Sequence, residues 1–157
     1  MIGCGNPEAG DDAVGLLVVR AARPRLEKLP GVEVVEAGPA LNVVHLLEGV
    51  DGAVVVDAVR TPRGGRAVGT VIRIEAGPEG LPADLGASLS SHGFGLAEAI
   101  GLVAVLHEAP RVVVLGVEVS DVTAGHALSA PVAVVLPDLV ERLVTEVEEL
   151  RKDSPRP

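Results

Sequence analysis

Four stretches of this chain are nearly unbroken runs of apolar, mostly β-branched residues: VEVVEA (32–37), AVVVDAV (53–59), GTVIRIE (69–75) and RVVVLGVEV (111–119). A strand with one face in water alternates apolar and polar residues; a strand covered on both faces does not have to. These runs lack strict alternation, so they belong to a sheet buried on both sides. Helical patterns lie between them. Residues 12–23 put Ala13, Leu17 and Ala21 on one stripe with Val14 and Val18 beside it, and Pro24 is expected to end or bend that helix. Shorter patterns cover 40–48 and 93–108, and a last one covers 131–151, ending in EELRK. Strands alternating with helices predict an α/β three-layer sandwich. Its core is a mostly parallel, twisted sheet of about five strands with helices on both faces. The fifth strand has to come from residues 1–5, although MIGCG is barely a strand by composition.

A chain of 157 residues suits one domain, here 1–152, with a tail at 153–157 expected to fray. There is no internal repeat and no linker. The Gly- and Pro-rich segments 60–66 and 76–91 read as surface loops. A net charge of −9 argues against nucleic acid or an anionic membrane as partner, since both demand a basic face. A basic peptide or a metal-bearing partner fits better. The single cysteine, Cys4, excludes a disulfide framework and suits a reducing cytoplasm. Its place in a glycine turn reads as a buried structural thiol. No secretory signal opens the chain, and no run of about 18 apolar residues is present.

Ligands of open α/β sheets bind at the carboxyl ends of the strands. Three loci of the sequence reach that edge if the strands are parallel. Asp11 and Asp12 follow the first strand, Asp57 closes AVVVDAV, and His92 in SSHGFGL opens the helix near 93. Each also has a plainer role. Asp11 would cap a helix and gain from its dipole. His92 would belong to a helix entry capped by Ser90 or Ser91. Asp57 is harder to dismiss, because an ionised acid beside a valine core needs a partner or a metal. His45 reads as a packing or surface residue, His107 as a helix-end histidine, and His126 in TAGHALSAP can approach the site but has no motif behind it. Two carboxylates and an imidazole suit a divalent first-row metal with open positions. There is no HExxH zinc helix. The glycine turn at 3–10 is not GxGxxG, because its third glycine comes two positions late.

At these residues the chain resembles the nickel–iron hydrogenase maturation endopeptidases. Three motifs carry the likeness: G-x-G-N followed by D-[DE]-x-x-G, here Gly3, Gly5, Asn6, Asp11, Asp12 and Gly15; an acid ending a strand, here Asp57; and S-x-H-x-x-G-L, here Ser90, His92, Gly95 and Leu96. The resemblance implies a twisted sheet between helices and removal of a carboxyl-terminal extension from the hydrogenase large-subunit precursor after nickel insertion. It implies that Asp12, Asp57 and His92 bind metal and act in catalysis. No metal is expected to be held tightly: the substrate's nickel is sensed at the site, with other divalent ions able to substitute. Two alternatives stand beside this reading. Peptidyl-tRNA hydrolase shares a G-x-G-N-P turn, but needs a histidine soon after it, and the first histidine here is His45. A non-catalytic nickel-sensing or docking protein on the same fold would bind the precursor without cutting it.

Overall fold

The computed structural model describes residues 1–60, 65–76, 95–106 and 110–153. Among these residues five strands form one sheet: β1 (Ile2–Cys4), β2 (Val35–Gly38), β3 (Gly52–Val59), β4 (Val71–Ala76) and β5 (Arg111–Glu118). Their order is β2-β1-β3-β5-β4. β1, β2, β3 and β5 run parallel, and β4 closes the far edge antiparallel to β5. The expected α/β sandwich is therefore the fold. MIGCG does make a strand, a short one, but it pairs on both sides and sits inside the sheet.

Among the described residues four α-helices cover the faces: α1 (Val14–Leu26), α2 (Val43–Leu46), α3 (Leu96–Leu106) and α4 (Ala130–Asp153). The core is split by the sheet. On one face Val54, Val56, Val113, Leu115 and Val117 pack against Val14, Val18, Val19 and Ala22 of α1 and Leu139 and Leu143 of α4. On the other, Val55, Val112 and Val114 meet Val43 and Val44 of α2 and Leu96, Ala99, Ile100 and Val103 of α3. The helix expected at 40–48 is a 3₁₀ turn at Ala40–Asn42 followed by α2. α4 reaches Asp153, at the start of the expected tail, and residues 154–157 lie outside the described residues. No helix among the described residues is long and apolar enough to cross a membrane.

Two details of α1 depart from expectation. The helix runs past Pro24 to Leu26. Its buried stripe is also not Leu17–Ala21: Ala21 is exposed and Leu17 only half-buried, whereas Gly15, Val18, Val19, Ala22 and Leu26 are buried. Gly15 explains the rotation. A Cβ there would lie 2.3 Å from the Cys4 carbonyl oxygen and 2.4 Å from that of Val56, so the helix rests directly on β1 and β3 at this glycine. Whatever shares a face with Gly15 is pressed onto the sheet.

Candidate active site

The strand order reverses between β1 and β3: from β1 the chain first adds β2 on one side, then β3 on the other. A crevice opens at the carboxyl ends of strands at such a switch point. Asp12 and Asp57 stand there. After β1 the chain turns at Gly5, whose φ is +126°, and a Cβ at this residue would lie 1.9 Å from the Asp12 carbonyl oxygen. Only glycine lets the turn fold back on the acidic segment that closely. Gly5 N–H donates to the Gly38 carbonyl at 2.9 Å, tying the turn to the end of β2.

The acidic pair lies in a 3₁₀ turn, Gly10–Ala13, that leads into α1. Its two members have different surroundings. Asp11 is not the expected helix cap: the cap position of this turn is Ala9, with no side-chain cap. The Asp11 carboxylate is fully buried and accepts the Ser129 N–H at 2.6 Å and the Ser129 hydroxyl at 2.9 Å. Asp12 is partly exposed, and its Oδ2 accepts the Asn6 N–H at 2.8 Å.

Asp57 lies two residues before the end of β3, which continues to Val59. By strand alternation it shares a face with Val55 and Val59, the face covered by α2 and α3. Only 9% of it is exposed, and its Oδ1 accepts the N–H of Ala58 at 2.9 Å. Burial, joined by the negative charge of Asp12, pushes its carboxyl up to about 7, with the Ala58 hydrogen bond pulling the other way. Cys4 is fully buried on the same face, and burial together with the charges of Asp57 and Asp12 drives its thiol far upward. It is thus inert as a nucleophile, as a structural thiol should be.

The electrostatics tie Asp12, Asp57 and Cys4 into one neighbourhood. Among the described residues no three His, Cys, Asp or Glu side chains are grouped so as to hold a metal ion. The third expected residue, His92, lies outside the described residues, as do Ser90, Ser91 and His107. α3 begins four residues after the His92 position. The Gly95 N–H there donates to Glu98 at 3.0 Å, the returning half of a capping box. His45 is a surface residue on α2, 3.9 Å from Glu48.

After β5, sequence reasoning allowed His126 to approach the site but missed Asp121 and Ser129. The backbone of this segment meets the acidic turn: Asp11 N–H donates to the Asp121 carbonyl at 2.8 Å, and Gly125 N–H to that of Glu8 at 2.7 Å. His126 Nδ1 lies 2.8 Å from Asp121 Oδ2, and the histidine with Thr123 holds the Asp121 carboxyl well below its usual range. The one local signal was S-A-P at 129–131, a helix start with Pro in the first turn. Nothing local tells that Ser129 donates to Asp11.

The family description for HycI, hydrogenase maturation protease, matches residues 17–146, a span that holds Asp57 and His92 and begins after Asp12. Among solved structures, the hydrogenase maturating endopeptidase HybD from Escherichia coli superposes with a TM-score of 0.74 at 20% identity, over 94% of this chain and 90% of that one. The solution structure of an endopeptidase from Escherichia coli gives 0.76 at 21%, over 98% and 97%. The [NiFe] hydrogenase maturation protease HycI from Thermococcus kodakarensis KOD1 gives 0.61 at 24%, over 97% and 90%. At these identities the likeness is one of fold. No curated protein sequence matches the chain.

Proposed function

Since the chain belongs to the hydrogenase maturation protease family, we propose that it is the endopeptidase that removes the carboxyl-terminal extension of a nickel–iron hydrogenase large-subunit precursor once nickel is in place. The observation that supports this most is the state of Asp57. A buried carboxyl raised to about 7, beside the charge of Asp12, is a site in want of a cation. A cation that arrives with the substrate relieves both causes at once: it compensates burial of the carboxylate and screens it from Asp12. In this reading Asp12, Asp57 and His92 meet the precursor's nickel and hold no tightly bound metal of their own. Water adds to the scissile carbonyl carbon, and the amide nitrogen leaves with a proton. The ion can polarise that carbonyl, and a carboxylate near neutrality can take the water's proton. The partner is the precursor, met in the cytoplasm, where a lone cysteine stays reduced.

The test is incubation with precursor carrying its extension, nickel-loaded or nickel-free, with the released peptide read by mass spectrometry. Release from the nickel-loaded form alone is expected. Asp57→Asn should release nothing while staying folded, with a thermal midpoint no lower than that of wild type, because the amide keeps the shape and loses the charge. Equal cutting of both forms would remove the nickel requirement. Binding of both without cutting would leave a docking protein in place of a protease.

A further inference from the structure

Of two adjacent acids, Asp11 is fully buried and Asp12 partly exposed. We infer that Asp11 and Ser129 form a positioning pair that sets the turn carrying Asp12, a role that rests on the reading of Asp12 as a contact to the substrate's metal. Both Asp11 oxygens are taken: Oδ1 by the Ser129 N–H and Oδ2 by the Ser129 hydroxyl. A fully buried carboxylate needs such donors, and with them it is not a free ligand. The contact joins residues 118 positions apart, across the carboxyl edge of the sheet. It is reinforced on the backbone by Asp11 N–H to the Asp121 carbonyl and Gly125 N–H to the Glu8 carbonyl. Gly10 is pressed against the same segment, where a Cβ would lie 2.8 Å from the Asp121 carbonyl oxygen.

Asp12 is the next residue. Its N–H reaches the Ala9 carbonyl at 3.0 Å, and its Oδ2 holds the Asn6 N–H. The short turn is therefore fixed from the Asp11 side by Ser129 and reports its position on the other side at Asn6. Asp12 needs no second-sphere cation to be aimed; a neutral serine does it through the neighbouring acid. Ser129 acts on the reaction only through this turn, so it is a positioning residue and not a catalytic one.

The experiment has two arms. In the first, the Asn6 amide is followed by NMR in Ser129→Ala, Ser129→Thr and wild type. Ser129→Ala should shift this amide and speed its hydrogen exchange by about tenfold, the loss of roughly one hydrogen bond's protection; Ser129→Thr, which keeps the hydroxyl, should restore both. In the second, precursor cleavage is measured. Ser129→Ala should lower kcat by about tenfold or more with KM nearly unchanged, since orientation and not binding is lost. Asp11→Asn is the discriminating variant. Its amide oxygen can accept the Ser129 N–H and its NH₂ can donate to the hydroxyl, so the pair survives without the charge. It should cleave far faster than Asp12→Asn, and it carries the test if Ser129→Ala does not fold. An Asn6 amide unmoved in Ser129→Ala, or an Asp11→Asn as inactive as Asp12→Asn, overturns the inference. If wild type cuts no precursor, the NMR arm still decides the pair, and the failure falls on the endopeptidase reading alone.

Discussion

Asp57 is an acid that folding pushes the wrong way. In the unfolded chain its carboxyl titrates at about 3.9, and in the folded chain at about 7. Below pH 4 both forms are protonated and nothing is lost. Between those values the unfolded chain sheds the proton and the folded one keeps it, so stability falls as pH rises; above 7 the loss is complete and constant. Three units correspond to a few kcal/mol, about 1.4 for each. Asp57→Asn should therefore be more stable than wild type at pH 8, by roughly that amount, and about equal to it at pH 4. Denaturant titrations of both proteins at the two pH values measure it. Taking the difference cancels the slopes of all other acids. A constant gap between the proteins would mean that the carboxyl does not titrate in this window. Asp57 was legible in sequence because a charge stood in a run of valines. Asp11 was misread because its partners come 118 residues later, where no periodicity points back to it.

At the scale of elements, the closeness of α1 to the sheet is the tightest constraint. Gly15→Ala would drive a methyl into two backbone carbonyls, neither of which can swing aside. It should cost about 3 kcal/mol, the upper range of overpacking. Gly101, inside α3, has nothing within 4 Å of an added Cβ, so Gly101→Ala should stabilise by about 0.5–1 kcal/mol through helix propensity alone. Urea midpoints of the two variants on opposite sides of wild type bear this out; a shift in one direction for both would contradict it. The same glycine explains what the helical pattern could not say. Apolar residues surround most of α1, so periodicity allowed several stripes, and the absent side chain chose among them. The strands at 53–59 and 111–119 were readable because burial on both faces leaves no alternation to look for, while β1 hid in three residues, one of them a glycine.

For the whole molecule, the exposed edge of the sheet is held by charge. Arg73 on β4 points to the α4 side, away from Ile74, and its Nε donates to Glu146 at 2.7 Å. Glu146 is one of the few buried acids. Its partner Arg73 also meets Glu75, which in turn accepts Arg111 of β5, and Arg111 reaches Asp153 at the end of α4. The edge strand β4, its neighbour β5 and the last helix are thereby cross-tied. Arg73→Ala leaves Glu146 buried without that partner and should cost about 2–3 kcal/mol, less than a fully buried pair because Arg73 is a third exposed. Adding Glu146→Gln should return a good part of it, as a double-mutant cycle on thermal unfolding would measure.

The strand order also sets a schedule during synthesis. β4 lies at the edge with β5 as its neighbour, yet it leaves the ribosome some 35 residues earlier, and β3 waits for β5 on the same side. Until residues 111–118 emerge, β4 has no strand to pair with and one side of β3 is bare, an opening for pairing with other chains. Ser129 comes later still. An unfinished chain thus holds Asp11 without its donors, and the acidic turn stays loose. The acidic turn is tied down only when nearly the whole chain has been made.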